Sequence, residues 1–210
     1  MTKLTPVKAF ILVLATSVLS ACVSILPDPE PAPTVYRLAI PVHPSVDKSE
    51  SPITINVERP DAPAMLSGHD IVVSPDGRRL STAAGAIWEA PIPQLLRSAV
   101  VDTLADNSRL VGVIPKGSTR VPYRLNMDIR RFEAVFDHGE QAAPNCIVHL
   151  NVSLTETKGR KIVGAHTIYV ERRAAGRNIS SIVAAQDLAT KAAMDDLETW
   201  LNDQVSRAGA

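Results

Sequence analysis

The sequence predicts an α+β fold, a two-layer sandwich whose largely antiparallel sheet carries two main helices on one face. Several segments alternate apolar and polar residues with period two, and two others repeat apolar residues at helical spacing. These segments come in the order strands, helix, strands, helix, which favours helices gathered against one side of a sheet.

Each element has its own local reason. Ile53, Ile55 and Val57 alternate with Thr54, Asn56 and Glu58 and predict a half-buried strand. The run SPDGRR (Ser74–Arg79) between IVV and LST predicts a hairpin with Asp76-Gly77 as its turn. Ile92, Leu95, Leu96, Ala99, Val100 and Leu104 recur at helical spacing, and Pro91 and Pro93 fit a helix start. A strand around Leu110–Ile114 follows. Tyr123, Leu125, Met127 and Ile129 then alternate with charged or polar neighbours, as do Cys146, Val148, Leu150, Val152 and Leu154. TETKGRK, with Gly159, predicts a hairpin turn into KIVGAHTIYVERR. The last helix is expected from about Ser180 to about Val205, capped by Ser180 or Ser181. Its buried stripe reads Ile182, Ala185, Leu188, Ala189, Ala192, Leu197, Leu201 and Val205, opposite Gln186, Asp187, Lys191, Asp195 and Glu198. The strand order does not follow from these patterns.

Ahead of the folded part, MTKLTPVK gives way to the apolar run AFILVLATSVLSA. A positive start, a short apolar stretch and a small-residue cleavage site describe a secretory signal peptide. The run falls short of the roughly 20 apolar residues that a membrane-spanning helix needs. Leu19-Ser20-Ala21-Cys22 resembles, position by position, the lipobox of bacterial lipoproteins. That resemblance implies cleavage between Ala21 and Cys22 and lipid attachment at Cys22. Each buried methylene contributes about 0.8 kcal/mol, so two or three acyl chains anchor stably where one is marginal. Val23 follows the cysteine where an aspartate retains many such proteins in the inner membrane, so the expected anchor is the outer membrane, facing the periplasm. Residues 1–21 read as the signal peptide and residues 22–34 as the lipidated cysteine and a proline-rich tether. Prolines 27, 29, 31 and 33 favour extended polyproline II chain, at about 3.1 Å per residue. Residues 35–206 then form one domain.

Composition and motifs exclude several functions. Cleavage before Cys22 removes Lys3 and Lys8 from the 22 basic residues and none of the 22 acidic ones, leaving a net charge of −2. That balance argues against a nucleic-acid partner, which calls for a basic stripe. Gly112-Val-Ile-Pro-Lys-Gly117 has the glycine spacing of a phosphate loop, but Lys116 precedes the second glycine and Pro115 removes a backbone donor. Histidines 43, 69, 138, 149 and 166 form no metal-ligand spacing, although His149 and His166 are placed to face each other across the last hairpin. Cys146 is expected to be a buried hydrophobe. Asp137 and His138 lie in the polar loop DHGEQAAPN, without a nucleophile elbow. No catalytic residue, cofactor or metal is expected.

The order of segments carries a further resemblance. Tyr36-Arg37-Leu38 after a lipidated tether, then ITINVERPDAPAMLSGHDIVV, then AIWEAPIPQLLRSAVVDTLADN, resembles the ABC-type transport auxiliary lipoproteins. These include the PqiC-like proteins that accompany Mce-type (MlaD-like) lipid transport systems. The resemblance implies a non-catalytic periplasmic lipoprotein and partners comprising an Mce/MlaD-like protein with an ABC permease and ATPase. It also implies a possible homo-oligomer docking the periplasmic ring against the outer membrane. Trp88, at the junction Trp-x-Ala-Pro that opens the helix, reads either as a partner contact or as a core anchor, large aromatics being highly buried on average. The alternative function is a lipoprotein assembly factor for an outer-membrane protein or polysaccharide exporter.

Overall fold

The longest ladder follows from the cleanest alternation. In the computed structural model, which describes residues 31–39, 47, 49–114 and 121–208, three strands form an antiparallel meander: β6 (Tyr123–Val135), β7 (Asn145–Glu156) and β8 (Lys161–Arg173). Leu125, Met127, Ile129, Val148, Leu150, Val152 and Leu154 are all buried, as the period-two pattern requires. The predicted hairpin turn occupies 157–160, and Arg160 rather than Gly159 takes the positive φ, 50°.

Shorter strands share the other edge of β6. β2 (Ile53–Val57) runs parallel to it at Tyr123–Leu125, Asp61 bridges Asp128, and β3 (Asp70–Ser74) runs parallel at Ala134–Val135. The chain from β2 to β3 thus tracks one long strand, leaving it only for a 3₁₀ turn at Ala64–Leu66. Beyond this the sheet forks. β2 pairs in parallel with β5 (Leu110–Val113), while β3 pairs antiparallel with β4 (Ser81–Trp88), which pairs in parallel with β1 (Thr34–Tyr36). The described residues therefore form an eight-stranded mixed sheet. The antiparallel character predicted from sequence resides in the meander and in the β3–β4 hairpin, where Gly77 takes φ 74° and Asp76 accepts the N–H groups of Arg78 and Arg79. The parallel pairings of the short strands leave no mark on an alternating pattern.

Both helices cover one face, as predicted. α1 (Ile92–Asp106) starts with Pro91 as N-cap and Pro93 inside the first turn, and its six predicted apolar residues are buried. Gly112 on β5 is where this helix comes closest, since a Cβ there would lie 3.2 Å from the Val101 Cα. Asn107 ties the end of α1 to its surroundings. Its Oδ1 accepts the N–H groups of Arg109 and Leu110, and its Nδ2 donates to Glu198 on the second helix at 2.7 Å.

That helix, α2 (Ile179–Ala208), departs from expectation in two respects. Its cap is Asn178, whose Oδ1 accepts the Ser181 N–H at 2.8 Å, rather than Ser180 or Ser181. Leu188, expected in the buried stripe, is 60% exposed, whereas Gln186, expected on the wet face, is 2% exposed. At about 100° per residue, Gln186 lies about 40° around the helix from buried Ile182 and Leu188 about 120° away. Position therefore outweighs side-chain polarity.

Candidate functional site

Three places concentrate polar or accessible groups: the strap that enters the domain, the loop after β6, and the open face of the meander. Ala21 and Cys22 lie outside the described residues, as do Lys116 and Gly117 of the glycine pair.

The strap comprises β1 and the residues after it. The predicted Tyr-x-Leu strand pairs only as far as Tyr36; beyond it, side-chain contacts hold the chain. The Tyr36 hydroxyl meets the Ser180 Oγ at 3.4 Å, Arg37 Nε donates to Glu89 at 2.8 Å, and the Ala39 N–H donates to the Asp187 carboxylate at 3.1 Å. Tyr36 and Ala39 thus follow α2 from Ser180 to Asp187. Between the strap and α1 lies a groove of ≈ 660 Å³, walled by Leu38, Ala90, Leu95 and Ala99, with the Arg37–Glu89 pair and Asp102 beside them. Burial raises the Asp187 carboxyl to about 6, against the lowering effect of the Ala39 N–H. Asp102 is also raised, first by burial and then by Asp106. The sequence pattern marks Asp187 as a wet-face residue and carries no signal for the strap lying over it.

The loop after β6 contains Asp137 and His138. Asp137 is held in a two-point ion pair, with Arg173 Nη1 and Nη2 donating at 2.6 and 2.7 Å. The guanidinium keeps the Asp137 carboxyl below its ordinary range and engages both of its oxygens. His138 is exposed, 3.9 Å from Asp137. The pair therefore ties the loop to the end of β8 and does not form a general-base arrangement.

His149 and His166 do not meet. His149 lies opposite Tyr169 on the open face, edge-on to its ring at 5.3 Å between centroids. His166 lies opposite Val152 on the helix side, stacked on Trp200, with its Nε2 3.1 Å from Asp196. A bulge between Leu154 and Thr155 shifts the register by one residue and turns His166 to the other side of the sheet. Among the described residues no group of three or more potential ligands could hold a metal ion. Cys146 is fully buried, donates to the Ile182 carbonyl, and has its thiol pushed up to about 12 by burial. It is the small hydrophobe that the sequence suggests. Trp88 is 1% exposed and packs against Phe132, 6.0 Å between ring centroids. Of the two readings of Trp88, partner contact or core anchor, its burial fits the core anchor.

The open face of the meander is polar and largely self-paired. Arg124, Arg130 and Arg131 pair with Glu58, Asp128 and Glu133. Tyr169 and Asn145 both donate to Glu171, and these two bonds lower its carboxyl. Among the described residues, β8 pairs only with β7, so its outer edge carries no further strand.

Against this geometry, the family described as ABC-type transport auxiliary lipoprotein component matches residues 36–198. The chain belongs to this family. As a transport auxiliary lipoprotein it is a component of the cell envelope associated with an ABC-type transport system. The fold is shared with solved structures. A protein from Xanthomonas campestris of the family DUF330 superposes with a TM-score of 0.74 at 23% identity, over 84% of this chain and 99% of that one. An uncharacterized protein superposes at 0.65 with 16% identity, over 81% and 99%. The hypothetical protein CT253 from Chlamydia trachomatis superposes at 0.50 with 7% identity, over 74% and 98%. No curated protein matches the chain.

Proposed function

We propose that this auxiliary lipoprotein is a non-catalytic component of an Mce-type ABC lipid transport system, anchored through Cys22 in the outer membrane and facing the periplasm. It docks or bridges a periplasmic Mce/MlaD-like ring, served by a permease and an ATPase, to that membrane. The observation that carries the reading is the family match over residues 36–198, which follows directly on a lipobox and a proline-rich tether. The physical logic is that a phospholipid cannot cheaply cross water with its acyl chains exposed, so transport needs a shielded route between membranes. A domain tethered a few nanometres from the bilayer, at about 3.1 Å per tether residue, is placed to form one end of that route. Asp137 held by Arg173 and Cys146 buried as a thiol support an accessory rather than a chemical role.

The test is detergent co-purification with in-cell crosslinking, comparing the natural protein with Cys22→Ser. An Mce-domain protein, permease or ATPase captured by the natural form and depleted with the variant supports the proposal. Capture of an outer-membrane barrel instead, or of no reproducible partner, overturns it.

A further inference from the structure

Two buried donors line one small cavity. The Trp88 Nε1 and the Gln186 Nε2 are both buried and make no hydrogen bond within the protein. Both residues border an internal cavity of ≈ 10 Å³, between β3, β4 and β6 on one side and α2 on the other. Its other walls are Ile71, Val72, Phe132, Ala134 and Ile182, each at most 2% exposed, with Glu133, whose carboxylate is paired with Arg131. A buried polar group left without a partner costs about 1–3 kcal/mol, so two such donors beside one small cavity are a substantial burden on the fold. With the Gln186 amide oriented as it is, both are N–H groups and cannot satisfy each other. In that orientation a third group with acceptor lone pairs is needed.

We propose that Trp88 and Gln186 form a binding site for one buried water molecule, which accepts from both and bridges the strand–helix junction at β4 to α2. The volume suits this ligand. One water needs about 10–15 Å³ of such space together with two or more polar partners, and an entirely apolar cavity of that size stays dry. A larger or anionic ligand does not fit the same space. The site also accounts for a glutamine on the buried line of α2, where the helical pattern otherwise calls for an apolar residue. Trp88 thereby has two roles: its ring packs on Phe132, and its N–H holds the water.

The chain has two tryptophans, so labelling only tryptophan indole nitrogens gives two resolvable N–H signals. The measurement is the water-to-indole cross-relaxation of the natural lipoprotein in detergent micelles, with Trp88→Phe used only to assign the signals. The expected result is a water cross-peak at the Trp88 indole with the sign of a long-lived bound water, reduced at least several-fold in Gln186→Leu. A natural protein without that cross-peak overturns the proposal. So does a high-resolution crystal structure in which Gln186 turns its carbonyl to accept directly from Trp88. An unchanged cross-peak in a folded Gln186→Leu variant likewise removes Gln186 from the site.

Discussion

Replacing Gly112 by alanine tests why the first glycine of the near-miss phosphate loop is there. A methyl at this position would lie 3.2 Å from both Leu104 Cδ1 and Val101 Cα, and 3.3 Å from Leu104 Cβ. Leu104 is held in the core at 1% exposure, and the Val101 Cα belongs to the helix backbone, so relief requires α1 to move away from β5. Overpacking of this kind costs about 1–3 kcal/mol. Gly→Ala also restricts the unfolded chain, which returns about 0.4–1 kcal/mol. The net expectation is a loss of about 1 kcal/mol, or a fall in Tm of about 2–4 °C for a unit of this size. Gly164→Ala is the control. The three atoms nearest its methyl all belong to the Gln204 side chain, which can swing aside, so a change within about 0.5 kcal/mol is expected. Denaturant and thermal unfolding of the three proteins measure both. A Gly112→Ala protein as stable as the natural one, beside a destabilised Gly164→Ala, would refute the close-approach argument and reopen a role for Gly112 in its loop.

Three further outcomes are expected. Cys146, whose thiol is pushed up to about 12, should resist a thiol-specific reagent in the folded protein and react only after denaturation; rapid labelling under native conditions would contradict its burial. Asp187 is raised to about 6 when folded, above the unfolded value of about 3.9, so the folded state takes up a proton between these values and gains stability as pH falls through 6. Asp187→Asn should therefore raise Tm at pH 7.5 and flatten its pH dependence, and a lowered Tm there would remove the burial argument. Cys22→Ser should move the protein from the membrane fraction to the soluble fraction; retention in the membrane fraction would mean that something other than the acyl chains holds it.

The strand faces were legible because β6 and β7 alternate, and α1 because Ile92, Leu95, Leu96, Ala99, Val100 and Leu104 fall on one side. What period two does not encode is the direction of a neighbour, so the parallel approach of β2 and β3 to a single long strand had no signal in the sequence. Bulges are equally silent. One residue inserted near Leu154 separates His149 from His166, and no composition rule marks the insertion. Leu188 and Gln186 are a different case. Their angular positions on α2 were readable, but residue identity pointed the other way, and the cavity beside Gln186 explains the conflict. The strap contacts at Ser180 and Asp187 join residues more than a hundred positions apart, beyond any local pattern.

Among the described residues the sheet ends on three strands, β1, β5 and β8. β1 lies at one end of the order β1-β4-β3-β6, and β7 and β8 continue from β6 to the opposite side. At about 4.8 Å per strand spacing, five spacings put some 24 Å between them. The charged groups on the open face of the meander are largely neutralised by their own neighbours, so a partner gains little by replacing those pairs. β8 pairs only with β7 among the described residues, and Ile162 and Tyr169 on that strand are 64% and 50% exposed. Electrostatic recognition is thus weakest where the sheet is broadest. What the meander offers a partner is the exposed apolar surface of β8 and an edge that carries no further strand among the described residues.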